Sequence, residues 1–312
     1  MKDILEKRAA IVRGIRKFFD DQGFVEVETA VRIDAPAPEE HIDCPPVVGG
    51  GYLRASPELQ MKKLLAAGMD KIYQIGPCFR EGEKGSRHNP EFTMLEWYRK
   101  NATCLDIKTD LENLLNTEFS IGESAGRFAS QSPSNSKISA EGGSVFKVLK
   151  VRDAYREYAG WDPWTNWDQD RFDFDMATKI EPAIKSIGGG VFLMDYPPQA
   201  ASLAKISTAL QTSRTSQTFQ PFRFAERWEF YWDGLELANC FTELCDKNEQ
   251  FRRFESAKNA RKLLKEADYP IDREFIECLP QIGSAAGVAL GIDRLVMVLT
   301  QMKEISAVRA PI

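Results

Sequence analysis

Histidine is nearly absent: His41 and His88 are the only two in 312 residues. That excludes a histidine-rich metal centre, and neither lies beside a candidate nucleophile, so triad chemistry has no foothold. The 6 cysteines (Cys44, Cys78, Cys104, Cys240, Cys245 and Cys278) form no C-x-x-C pair. They read as reduced, mostly buried thiols without a redox or zinc motif. No apolar run approaches the ~20 residues of a membrane span. The amino terminus, Met1 to Arg8, is charged and helical rather than a signal peptide, which points to the cytoplasm. Neither G-x-x-x-x-G-K-[ST] nor G-x-G-x-x-G occurs at a strand-to-helix junction, so P-loop and Rossmann nucleotide folds are excluded. A net charge of -5 gives no basic field to recruit nucleic acid.

What is present is ordinary for a globular chain: 43% hydrophobic and 28% charged residues, enough for one large core. Apolar residues at helical spacing over 4–22 end at Gly23, and the alternation of Phe24 to Glu28 reads as a strand. Residues 30–51 form a Pro- and Gly-rich connection. Ser56 caps a helix over 57–67 with Pro57 at its first position. Strands are expected over 71–78 and 92–98, with a polar loop over 82–89 and a helix over 105–115. The stretch 120–143 shifts to Ser, Gly and Ala, and 208–221 is also polar, so both read as insertions. Residues 151–186 look helical with aromatic breaks, and 191–196 is a short buried strand. Asp233-Gly234 between two apolar alternating runs marks a hairpin. A charged helix over 248–267 and a Gly-rich strand over 287–291, running into an apolar helix over 292–299, close the chain. Without regular βαβ alternation the order argues for an α+β fold around an antiparallel sheet, one domain over 1–312.

Three constellations carry chemistry. In the first, Phe79 to Arg99, a strand ends in Arg80, a loop carries Glu, Lys and Arg between glycines, and a second strand returns with acids and aromatics. Arg80 can present a bidentate fork to phosphate, and Phe92 a face to a purine. A charged hairpin with a solvated tip is the competing reading. The second is Glu236 to Glu243. Two carboxylates seven positions apart fall on opposite faces of a straight strand and converge only if the backbone turns or bulges near Asn239. Converged, they suit Mg²⁺ with phosphate oxygens, or an ammonium group; otherwise they are surface acids on an edge. The third is Gly287 to Arg294, whose small residues permit close approach by a ligand. Arg294 sits in a first helical turn that the dipole disfavours for a cation. A packed Gly-rich strand with an exposed Arg is its plainer reading.

Together these segments, with Ala55-Ser-Pro-Glu-Leu and His88-Asn-Pro-Glu-Phe-Thr-Met-Leu-Glu-Trp-Tyr-Arg, resemble motifs two and three and the acidic strand of class II aminoacyl-tRNA synthetases. The likeness is to the lysine branch of the aspartate, lysine and asparagine group, and within it to stand-alone paralogues that modify a protein. It extends over nearly the whole chain. It implies a class II catalytic domain that makes an aminoacyl-adenylate from ATP with Mg²⁺. Arg80 and Arg294 would be catalytic. ATP would be held by Arg80, Glu81, Gly82, Glu83, Asn89, Phe92, Glu236, Leu237, Gly291 and Arg294, with Phe92 and Arg294 about the adenine. Ser56, Pro57, Glu58, Glu96, Tyr98 and Glu243 would line the amino-acid pocket, and Glu236 and Glu243 would hold the metal. Acids Glu58, Glu96 and Glu243 fit a dicationic diamino acid, since each buried ammonium needs an anion. The resemblance implies β-lysine or lysine as substrate, elongation factor P as acceptor and a homodimer. With so little chain before motif one, no anticodon-binding domain is expected, and tRNA is not the expected acceptor.

The chain departs from the pattern at four points. Gly82 replaces the Glu that usually follows two residues after the motif-two Arg, which shifts that role to Glu83. Ala30 replaces the Pro that ends motif one, Cys240 replaces a Gly of the acidic strand, and Ala289 stands where the synthetases have Gly. Two other readings stay open: a ligase for another diamino acid with a different acceptor, and a synthetase paralogue that has lost catalysis.

Overall fold

A computed structural model describes residues 1–119, 146–212 and 219–310. The elements run α1 (Lys2–Asp21), β1 (Val25–Glu26), β2 (Arg32–Ile33), β3 (Tyr52–Leu53), α2 (Glu58–Ala66), β4 (Lys71–Phe79), β5 (Glu91–Lys100) and α3 (Cys104–Phe119). After residue 145 come β6 (Lys147–Lys150), α4 (Val151–Ala154), α5 (Gln169–Asp175), α6 (Glu181–Ile187) and β7 (Gly190–Tyr196). Then follow β8 (Ile206–Thr212), β9 (Phe219–Trp232), β10 (Leu235–Thr242), α7 (Lys247–Leu264), α8 (Arg273–Ile282), β11 (Ala285–Gly291) and α9 (Ile292–Thr300). Two compact units result, one of residues 1–102 and 244–312, the other of residues 103–243.

In the first unit β1, β4, β5 and β11 lie side by side in that order. β4 and β11 flank β5 antiparallel, while β1 runs parallel to β4. Strand alternation splits β5 between two jobs. Trp97 points to α1, where Phe19 stacks on Tyr73 with centroids 4.7 Å apart and tilts against Trp97 at 5.2 Å. Glu96 and Tyr98 face the other way, toward the start of α2. Gly287, opposite Tyr98 in the register, is required by space: a Cβ there would lie 2.1 Å from the Tyr98 ring.

The carboxylate of Asp293, in the first turn of α9 and 1% exposed, ties three segments together. It pairs with Arg8 of α1 at 2.5 Å, accepts the Thr93 amide of β5 at 3.0 Å and lies 3.6 Å from Arg309. Arg261 does similar work elsewhere in this unit. Fully buried, it pairs with Asp43 at 2.5 Å and Glu266 at 3.1 Å, donates to Glu39 O at 2.7 Å and covers the Tyr269 ring at 4.4 Å.

In the second unit β7 runs parallel to β6 and antiparallel to β9, and β9 also pairs with β8 and β10. Its core holds Tyr155 stacked on Phe172 at 4.6 Å, with Ile184, Val191 and Leu193 buried beside them. Asp233 and Gly234 take φ of 47° and 76°, the paired left-handed conformation of a two-residue hairpin turn.

The α+β expectation holds, but the pairing is mixed, because β1–β4 and β6–β7 are parallel. The polar stretch 208–221 is not a loop at its ends, since residues 208–212 pair with 219–223 as β8 and β9. Its threonines, at 208, 212, 215 and 218, suit a strand as well as a polar loop. The 120–143 insertion lies outside the described residues. Cys240, replacing the family's Gly, continues β10 opposite Trp228 without a positive φ, so no turn is needed there. Cys44, Cys78, Cys104 and Cys240 are buried free thiols, and burial pushes the Cys44 pKa up to about 11. Helix α8 was not read from the sequence, because Pro280 interrupts its signal.

Replacing Asp293 by Asn leaves Arg8 and Arg309 facing a neutral group. The expected loss is about 2–3 kcal/mol, because breaking a buried pair costs far more than an exposed one gains. Urea unfolding of the variant checks it; an unchanged midpoint rules out Asp293 as the tie between α1, β5 and α9.

Candidate active site

Within the first unit the fold gathers Ser56, Glu58, Glu96 and Tyr98. Ser56 precedes α2, and its Oγ accepts the Glu58 amide at 2.9 Å. The helix starts at Glu58, one residue later than anticipated, so its N-cap is the buried Pro57 and not Ser56, which lies one residue before it and still takes the Glu58 amide. The same Ser56 hydroxyl donates to Glu96 Oε1 at 2.6 Å, and the Tyr98 hydroxyl donates to Glu96 Oε2 at 2.9 Å. Glu96 has no exposed surface and stands between Gln74 and Ala289 on the neighbouring strands. Burial first, and the Glu58 charge second, push its pKa up to about 7. Glu58 is paired with buried Lys62 at 2.5 Å. A cavity bordered by Ile33, Pro36, Ala37, Ile42 and Ala55 opens beside Ser56 and Glu58.

The segment after β4 is held at both ends. The Arg80 amide donates to Pro90 O at 2.9 Å and the Glu81 amide to Asp43 O at 2.8 Å. The Arg80 guanidinium lies over the Phe92 ring, 5.2 Å from its centroid, and 3.4 Å from Glu83 Oε1. Gly82 has φ of 77°, a left-handed backbone that disfavours any residue with a Cβ. Asn89 is half-buried at the return of the loop. Gly291 ends β11, and Arg294 follows in α9. Arg294 donates to Arg87 O at 3.3 Å and lies 2.6 Å from His88 Nε2. Burial, then the Arg294 charge, lowers the His88 pKa, so a neutral ring accepts from the guanidinium.

Glu236, Leu237 and Glu243 lie in the second unit. The register slips between Glu236 and Ala238, at Leu237 rather than near Asn239. One extra residue restores parity, so Glu236 and Glu243 share a face. They remain at opposite ends of the strand, however: Glu236 faces Tyr231 and Glu243 bridges to Ala204. Glu236 lies near the start of β10 and Glu243 just past its end at Thr242. Among the described residues no group of three or more His, Cys, Asp and Glu could hold a metal ion. Mg²⁺ bound by one or two carboxylates and substrate phosphates needs no such cage, and Glu236 fits that mode. Nearby, Glu229 is engaged by Arg227 at 2.5 Å and by the Tyr231 hydroxyl at 2.6 Å.

The chain matches, over residues 1–310, the family described as tRNA synthetases class II (D, K and N). It belongs to that family. It is similar to the elongation factor P–(R)-beta-lysine ligase of Proteus mirabilis, 36% identical over 98% of this chain and 94% of the relative. The ligases of the same name from Sodalis glossinidius and Photorhabdus laumondii are 36% and 37% identical, with the same coverage. Membership in this synthetase-like ligase family brings with it the use of ATP. Among the described residues no helix is long and apolar enough to cross a membrane.

Sequence reasoning missed Lys62 and His88 as partners of the site residues Glu58 and Arg294, and Asp293, next to Arg294, as the partner of Arg8. Lys62 was detectable as the i+4 neighbour of Glu58. The other two pairings join residues whose side chains meet only after the strands are assembled.

A carboxyl whose pKa is higher in the folded than in the unfolded state holds its proton more tightly when folded. Glu96 therefore costs stability progressively as pH rises from about 4.5 to about 7, and fully above that. The span corresponds to roughly 3 kcal/mol. Glu96→Gln is expected to be more stable than the parent at pH 8 and equal to it at pH 4.5, measured by urea titration at each pH.

Proposed function

We propose that the chain activates (R)-β-lysine, or lysine, as its adenylate and transfers it to a lysine side chain of elongation factor P. The relatives' names support the substrate and the acceptor. The observation that carries the reading is the Glu96 carboxylate, sealed from solvent and bonded to two hydroxyls. Burying an acid away from water is costly unless positive charge is brought to it. Beside Glu58 it makes a receptor for an ammonium group, further along the strand that carries Phe92.

In this reading Ser56, Glu58, Glu96 and Tyr98 take an amino group of the substrate, with Pro57 shaping the wall and Glu243 engaging the second ammonium. Arg80 binds the α-phosphate, where charge grows as the substrate carboxylate attacks in line and pyrophosphate leaves. Glu83, beside Arg80, takes the role that Gly82 cannot. Glu81 and Asn89 hold the ATP from the loop, Glu236 and Leu237 from β10. Phe92 and Arg294 clasp the adenine, with Gly291 leaving room for it. Mg²⁺ would be held by Glu236 and ATP itself, and would supply charge neutralisation to the phosphates. No protein nucleophile is needed; the acceptor amine attacks the adenylate and AMP leaves. A cytoplasmic homodimer completes the proposal. Val25, half exposed on edge strand β1, is consistent with a partner on that side of the first unit.

ATP–pyrophosphate exchange with lysine, (R)-β-lysine and other diamino acids tests the activation step, and labelling of elongation factor P against tRNA tests the acceptor. Exchange is expected with a lysine isomer, falling at least ~100-fold in Arg80→Ala and Arg294→Ala, as loss of a transition-state donor implies. Exchange with no amino acid would make the chain a non-catalytic paralogue, and labelling of tRNA alone would overturn the acceptor.

A further inference from the structure

An acid–base pair at i and i+4 of a helix normally decorates a surface, where it is worth only ~0.3–0.5 kcal/mol. Glu58 and Lys62 are placed otherwise. Their side chains are 12% and 2% exposed, with Nζ and Oε1 2.5 Å apart, on the turn of α2 that faces Glu96. Withdrawing an ammonium and a carboxylate from water costs several kcal/mol per ion, so such a pair is poor evidence for a stability device. Its location gives it another use.

We propose that Lys62 is a built-in counter-ion of the amino-acid pocket that sets how much positive charge the substrate must bring. The inference rests on the adenylate reading above and deepens it. With Glu96 ionised, Glu58, Glu96 and Lys62 together carry one negative charge, which a single substrate ammonium neutralises. Without Lys62 the Glu58 charge would act on Glu96 unopposed by it, and a like charge nearby disfavours ionisation. Lys62 therefore keeps the pair ready for an ammonium, and its Nζ yields part of Glu58 when the substrate's amine arrives. Other charged or titratable groups around the cluster do not substitute for it. Arg54, before α2, is spent on the carbonyls of Thr29, Ala30 and Pro77. Cys78 of β4 is pushed up to about 12 by burial. Tyr98 donates to Glu96, and Gly287 and Ala289 of β11 do not titrate.

The test is the pH dependence of KM for lysine and (R)-β-lysine, read by ATP–pyrophosphate exchange from pH 6 to 9 in the full chain, in Lys62→Met and in Lys62→Arg. In Lys62→Met the pH at which KM improves is expected to rise by about one unit, because two carboxylates then share the site. The effect should sit in KM rather than kcat, and Lys62→Arg should keep the parental profile. A Lys62→Met profile that coincides with the parent, or a loss confined to kcat, overturns the proposal. Should Lys62→Met fail to fold, the charge-neutral double variant Glu58→Gln/Lys62→Met serves, since removing both partners avoids a lone buried charge. It is expected to weaken KM for both amino acids at every pH; an unchanged KM overturns the proposal. A parent chain inert toward every amino acid would instead sink the adenylate reading, an outcome separable from a change confined to the variants.

Discussion

Burying the carboxylate of Glu96 on a central strand constrains everything around it in the first unit. Its two oxygens need donors, and they come from Ser56 and Tyr98. Ser56 can serve only because it sits just before α2, where its oxygen also takes the Glu58 amide and so settles where Glu58 and Lys62 project. Tyr98 can serve only because Gly287 opposite it has no side chain. A single acid thus dictates a helix start, a ring position and a glycine. Each is a local rule obeyed for a non-local reason.

The end of the first unit that carries Arg80, Phe92 and Arg294 is organised by a second buried acid, Asp293. By taking the Thr93 amide and the Arg8 guanidinium it fixes the first turn of α9 against β5, immediately after Phe92. Arg294 projects from that turn toward His88 and Arg87 rather than waving in solvent. The helix dipole opposes a cation at this position, and the adjacent Asp293 offsets that penalty locally. The Asp-Arg pair works as a unit: one residue locks the backbone and the other is presented by it.

Much of this was legible in the chain. The helical period before Gly23, the alternation of β4 and β5, the Asp233-Gly234 turn and the Gly-rich strand β11 all lie where local pattern put them, because each is fixed by neighbours in sequence. The less legible features are set by distant partners. The parallel pairing of β1 with β4 depends on where α1 docks its phenylalanines, and β8 was hidden by a polar composition that pairing with β9 makes acceptable. The bulge at Leu237 was anticipated as a need but placed two residues late, since nothing local to Asn239 or Cys240 breaks the strand. Lys62 has the sequence look of a solvated helix charge, and only burial reveals its engagement with Glu58.

Gly82 has a consequence for how such chains are recognised. Its left-handed backbone, with Glu83 next to it beside Arg80, fits the proposal that the usual carboxylate has changed address along the loop together with the local path of the chain. A signature keyed to the residue type two places after the arginine would score this loop as defective. One keyed to what lies within reach of the guanidinium would score it as intact. Functional inheritance in this loop is therefore better tracked by position in space than by column in a pattern.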